Sequence, residues 1–218
     1  MHAVNLNRFN CPDCSAQTEL LLALPLFIIC PSCGNNYEVK TDKTAVANGL
    51  RKRDLQPIKT IALGATGKYQ NKSFTIIGHI RSINTSSINN EWLMKFSDGT
   101  EKWLIENVFS YFVYDTDAIV LTHAQTKVNK MGSSIHVKSK AYVIYDLTKQ
   151  VEFQMDGQIP ENCFNDEAYF KYETINWESG NLLSVNIYSK ELIEGFMGKQ
   201  VALAELELST LKEFEQWM

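Results

Sequence analysis

Two short cysteine pairs near the start of the chain constrain its folding more than any other feature. Cys11-Pro12-Asp13-Cys14 and Cys30-Pro31-Ser32-Cys33 are Cys-x-x-Cys motifs with 15 residues between them. Two residues between ligands let a tight turn aim both sulfurs at one ion, and this separation falls in the range of four-cysteine zinc sites. The proline in each motif presets φ within the turn. Gly34 follows the second pair and can take the positive φ that such a turn often needs; Ser15 stands in the matching place after the first. The stretch from Ala16 to Ile29 is apolar and long enough for a short hairpin, and Tyr37-Glu38-Val39-Lys40 alternates like a third strand. The pattern predicts a zinc ribbon over residues 1–40, with Cys11, Cys14, Cys30 and Cys33 holding a structural zinc ion.

Disulfide and redox roles for these cysteines carry less weight. Two disulfides need an oxidising compartment, and no export signal is visible in the first residues. A thioredoxin-type pair needs a βαβ setting and only one Cys-x-x-Cys. An iron site or a vestigial one is the remaining alternative. Four thiolates fill a tetrahedral zinc shell and leave no position for water, so the metal is expected to fold the ribbon and catalyse nothing. The longest uncharged apolar run, Leu20 to Ile29, has ten residues where a bilayer span needs about 20. The expectation is a cytoplasmic protein that is not integral to a membrane.

Residues 41–58 carry a local cationic excess around Arg51-Lys52-Arg53, lack strong periodicity, and are read as a linker. From residue 59 to 218 the pattern is mainly β. Phe74-Thr75-Ile76-Ile77 is one strand; Trp92–Phe96 and Trp103–Ile105 flank Asp98-Gly99, a strong hairpin signal. Val108–Tyr114, Ala118–His123, Ser134–Tyr145, Tyr169–Trp177 and Leu182–Tyr188 are further strand candidates. The fold class expected is therefore mainly β: a small zinc ribbon, then an antiparallel barrel or sandwich-like domain. A short C-terminal helix is predicted from the capping spacing Thr210-Leu211-Lys212-Glu213. Trp92, Trp103 and Trp177 are assigned to the core.

One resemblance emerges from these residues. Leu63-Gly64, Phe74-Thr75-Ile76-Ile77-Gly78, Glu91-Trp92, Asp98-Gly99 and Trp103-Leu104, with a closing Gly195-to-Val201 segment, resemble the bacterial domain-of-unknown-function family 4178. The resemblance implies a zinc ribbon ahead of a β domain and a setting in polyamine-related or membrane-stress systems. It implies no agreed activity and no catalytic residues.

A search for catalytic spacing finds none. Gly64-Ala65-Thr66-Gly67-Lys68-Tyr69 has too few residues between its glycines for a phosphate-binding loop and reads as a turn into a strand. His79 and His136 are read as surface strand residues, Cys163 as an incidental thiol, and Asp115 with Asp117 as turn residues. The expected function is a noncatalytic adaptor acting through a protein partner, with the apolar run Leu20 to Ile29 packing on the β domain or on that partner. The alternative is a β-barrel carrier of a small cationic, polyamine-like ligand. A nucleic-acid-binding role ranks third, because the net charge is −4 and only the cluster at 51–53 favours it.

Overall fold

The computed structural model describes residues 2–3, 8–23, 25–51, 61–83, 88–107, 110–127, 130–150, 152–160 and 169–209. Strands dominate. The N-terminal part supplies β1 (His2–Ala3), β2 (Arg8–Asn10), β3 (Gln17–Glu19), β4 (Pro25–Ile29), β5 (Asn35–Val39) and β6 (Thr44–Arg51). Then follow β7 (Thr66–Tyr69), β8 (Lys72–Ile83), β9 (Ile88–Phe96), β10 (Glu101–Asn107), β11 (Ser110–Asp115) and β12 (Ile119–Val120). After a one-turn helix α1 (His123–Thr126) come β13 (Ser134–Val137), β14 (Lys140–Gln150), β15 (Glu152–Pro160), β16 (Tyr169–Ile175), β17 (Asn181–Ile187) and β18 (Ile193–Val201). A 3-10 turn at Leu203–Leu206 follows β18. The helix expected from Thr210 onward lies outside the described residues.

Apart from the small β2–β3 pair, the strands join in one antiparallel 16-stranded sheet. Its main path runs β1-β6-β5-β4-β15-β8-β9-β10-β11-β18-β17-β16-β14-β13 and does not close into a barrel. It curls instead. Glu91 on β9 and Lys171 on β16 meet at 3.0 Å, although β10, β11, β18 and β17 lie between their strands in the sheet. Curling of this kind gives the two-layered packing of a sandwich, with side chains from distant strands interdigitating inside.

The Asp98-Gly99 hairpin forms as its sequence predicts. Gly99 takes φ +85°, its N–H donates to the Phe96 carbonyl, and Trp103 pairs with Leu93. Alternation then sends the two tryptophans to opposite faces. Trp103 and Leu93 join the curled interior with Ile77, Ile80, Tyr114, Leu182 and Phe196. Trp92, Met94 and Phe96 pack on the other face against Ile61, Phe74, Leu104 and Leu206. Each such large apolar side chain contributes about 1.5–3 kcal/mol when fully buried.

Several expectations need correction. Ser134–Tyr145 is not one strand but the β13–β14 hairpin, turned by Lys138 and Ser139 at φ +48° and +65°. Neither residue is the glycine or asparagine that announces such a turn. Ala118–His123 yields only the two-residue β12 before Thr122 caps α1. Residues 44–51 of the stretch read as linker form β6, paired with β5, while 52–60 lie outside the described residues. Trp177, assigned to the core, is 71% exposed, and His79, assigned to the surface, is 3% exposed.

β15 was not foreseen, and it joins the two parts of the chain. Its first six residues pair with β8, from Glu152 opposite Ile83 to Gly157 opposite Gly78; Gln158 and Ile159 then pair with Ile28 and Phe27 of β4. The crossover is tight. A Cβ on Gly157 would sit 2.3 Å from the Ile77 carbonyl oxygen, and one on Gly78 2.2 Å from that of Gln158. Only glycine permits that approach of two backbones.

Candidate metal centre

The ribbon is built from two turns of one design. In the first, Ser15 N–H donates to the Cys11 carbonyl and Cys11 N–H to that of Ala16, each at 2.9 Å. In the second, Gly34 N–H donates to Cys30 and Cys30 N–H to Asn35, again at 2.9 Å. Both turns need a left-handed residue, supplied by Gly34 at φ +73° and by Ser15 at φ +60°. Ser15 thus bears strain that its glycine counterpart avoids. Phe9, Leu20, Ile28, Tyr37, Val39 and Ala45 form a small core beneath, with Cys11 and Cys30 buried against it.

These turns bring the four predicted residues together. The sulfurs of Cys11, Cys14, Cys30 and Cys33 all lie within 4.8 Å of one another. Cys11 Sγ to Cys33 Sγ and Cys14 Sγ to Cys30 Sγ are each 3.6 Å. A disulfide bond is about 2.05 Å, so these are four free cysteines. Metal–sulfur bonds of about 2.3 Å in a tetrahedron place the sulfurs about 3.8 Å apart. The cluster therefore has the donor set, the count and the spacing of a closed four-thiolate metal site. It is the one group of three or more potential ligands found among the described residues.

Tyr37 on β5 adds a supporting shell that the spacing of cysteines does not reveal. Its hydroxyl donates to Asp13 Oδ2 at 2.6 Å and lies 3.3 Å from Cys11 Sγ. Asn35 Nδ2 also donates to Asp13 Oδ2, tying the first turn to the strand that leaves the second. Burial, then the Asp13 hydrogen bond, pushes the Tyr37 pKa up and keeps its proton in place. Desolvation opposes ionisation of Cys11, but Tyr37 and the backbone N–H groups of Cys14 and Asp13 outweigh it and lower its pKa to about 6. At Cys33 the Asn35 N–H favours the thiolate, yet desolvation and the surrounding sulfurs prevail and push it up to about 12. One thiolate suppresses its neighbours, as like charges do; a cation among them reverses the balance.

The ribbon is also locked to the rest of the fold. Gln158 of β15 is buried and uses both ends of its amide. Its Oε1 accepts from the Leu21 and Leu22 N–H groups at 2.8 and 3.0 Å, and its Nε2 donates to the Glu19 carbonyl at 2.9 Å. The apolar run divides accordingly: Leu20 and Ile28 stay in the ribbon core, while Leu22, Phe27 and Ile29 enter the curled interior.

The other residues singled out in the sequence do not gather into a site. His136 is exposed on β13 and His123 opens α1. His79 stacks on Trp92 with ring centroids 4.0 Å apart and its Nε2 lies 3.0 Å from Asn90 Oδ1. Asp115 pairs with Lys102, and Thr66 to Tyr69 form β7, so the glycine-containing stretch is a turn into a strand. Cys163 lies outside the described residues. Inside the curl, Lys171 meets Glu91 at 3.0 Å and Glu173 at 3.3 Å, while Tyr114 and Ser184 donate to Glu173 at 2.8 and 3.0 Å. Burial alone pulls the Lys171 pKa down, but the two carboxylates more than reverse it.

No family model matches the chain, and neither a curated protein nor a solved structure matches it. The resemblance to family 4178 accordingly gains no support from these comparisons. No helix among the described residues is long and apolar enough to cross a membrane.

Proposed function

We propose that the protein is a noncatalytic scaffold, stapled by a structural zinc ion, that acts by holding a protein partner. Zinc suits the four cysteines because it is the common occupant of closed tetrahedral thiolate sites. Such a shell offers no open position, so the ion's part is to fold the ribbon.

One observation carries the partner reading: Trp177 is 71% exposed on a turn that is hydrogen-bonded through Asn176. Gly180 N–H donates to the Asn176 carbonyl, and Asn176 N–H to that of Asn181, with Gly180 at φ +68°. Asn176 Oδ1 accepts from the Ser179 N–H and Oγ at 2.9 and 2.7 Å, and its Nδ2 donates to Ala141. A solvent-facing tryptophan on a hydrogen-bonded turn offers a large contact area, and tryptophan is enriched at binding hot spots. A purely structural role would bury it. The cationic-ligand alternative has less behind it, since the interior carboxylates Glu91 and Glu173 already share Lys171.

The test is a photo-crosslinking amino acid at the exposed neighbouring position Glu178, with Trp177 intact, placed in the native host. The expected result is one dominant protein adduct, whose complex with the zinc-loaded chain weakens about tenfold or more on Trp177→Ala, while melting changes by less than ~0.5 kcal/mol. Absence of a protein adduct, or a complex indifferent to Trp177→Ala, would overturn the proposal.

A further inference from the structure

We infer that Arg81 and Gln154 form a binding site for a small oxyanion, a molecule bearing a carboxylate or phosphate group. Strand register places Gln154, Arg81, Asn90 and Glu106 side by side across β15, β8, β9 and β10. Directly opposed residues share a face. The adjoining row is Asp156, His79, Trp92 and Leu104.

Arg81 is only 8% exposed, yet its Nε and Nη1 are buried and donate to nothing. It has no ion pair among the described residues. Nε2 of its neighbour Gln154 is likewise buried without a partner. All three atoms are donors, so the missing complement is an acceptor. The carboxylates within these two rows are engaged elsewhere. Glu106 Oε2 accepts from Trp92 Nε1 at 3.0 Å, and Asp156 Oδ1 from the Gly157 N–H at 3.0 Å. His79, stacked on Trp92 and bonded to Asn90, stiffens the adjoining row.

A buried guanidinium without a counter-charge costs several kcal/mol, and a neutral side chain of similar size would remove that cost. Water could accept its hydrogen bonds but would leave the charge uncompensated. An oxyanion does both, and the guanidinium is the side chain best matched to carboxylate and phosphate oxygens.

The experiment is calorimetric titration and thermal melting of the full-length, zinc-loaded protein with sodium phosphate or sodium acetate, against sodium chloride at equal ionic strength. The expected result is saturable heat and a saturable rise in melting temperature with phosphate, acetate or both, beyond the chloride control. A response to phosphate alone identifies a phosphate-bearing ligand; a response to acetate identifies a carboxylate. Arg81→Gln should weaken binding about tenfold or more, and in anion-free buffer should melt no lower than the parent. Should Arg81→Gln not fold, Gln154→Leu replaces it and should weaken binding about threefold or more. No saturable response to either anion, or undiminished affinity in the folded variant, overturns the inference.

Discussion

At the scale of single residues, the candidate metal centre joins a hydroxyl to its four sulfurs. Tyr37 is buried in the ribbon core, and its oxygen lies between the Asp13 carboxylate and Cys11 Sγ. Groups that orient metal ligands commonly change affinity 10–100-fold when removed. Tyr37→Phe keeps the ring and its packing on Phe9, whose centroid is 5.1 Å away. It should therefore leave the ribbon folded but lower zinc affinity about tenfold, with ~1–2 kcal/mol of stability lost as Asp13 forfeits a donor. Competition with a chromogenic chelator measures the first effect and denaturant titration the second; unchanged affinity would show that the hydroxyl merely fills space. The four cysteines were legible because short loops in the chain itself force their sulfurs together. Tyr37 and Asp13 are separated by 23 intervening residues, and nothing in either neighbourhood announces their bond.

At the scale of elements, three turns share one construction: a first residue whose N–H and C=O are both bonded, and a left-handed residue four positions later. Two of them open on cysteines of the candidate metal centre, Cys11 and Cys30; the third replaces the sulfur with the Asn176 amide and displays Trp177. The exposure of Trp177 is not legible in the sequence because apolar strand residues and apolar turn residues look alike until the strand end is known. β15 is hidden for another reason. Phe153, Met155 and Ile159 alternate with Gln154, Asp156 and Gln158, a period-two pattern that Gly157 interrupts, and the polar side chains serve the face at Arg81 and the loop at Leu21. Gln158→Ala should expose this dependence. It leaves the Leu21 and Leu22 N–H groups and the Glu19 carbonyl without their partner, only the Leu22 bond being fully buried, so a loss of ~2 kcal/mol is expected in denaturant melts. A loss below ~0.5 kcal/mol would mean that the loop at Glu19 to Leu22 does not depend on β15.

At the scale of the whole molecule, the question is whether the proposed zinc would stabilise a ribbon or the entire fold. An apolar run too long for the ribbon to bury was visible in the sequence, and it pointed to packing beyond the ribbon; the receiving surface was not visible, because Ile77, Ile80, Leu93 and Trp103 belong to strands far along the chain. Two independent units would respond separately to chelation: the ribbon would melt and the rest would keep its own transition. The structure argues otherwise. Leu22, Phe27 and Ile29 sit in the shared interior, and β15 pairs with β8 along one half and with β4 along the other. Loss of the ion should release those three side chains, each contributing about 1.5–3 kcal/mol. It should also uncover the N–H groups of Leu21 and Leu22 that Gln158 now holds. The expected outcome is a single melting transition shifted down by ~10 °C or more after zinc removal. Accelerated hydrogen exchange should extend from β4 into Gln158 and Ile159 of β15. Elemental analysis must show the chain emptied of metal. If the emptied chain then melts where the loaded one does, with β15 still protected, the ion stabilises at most its own two turns.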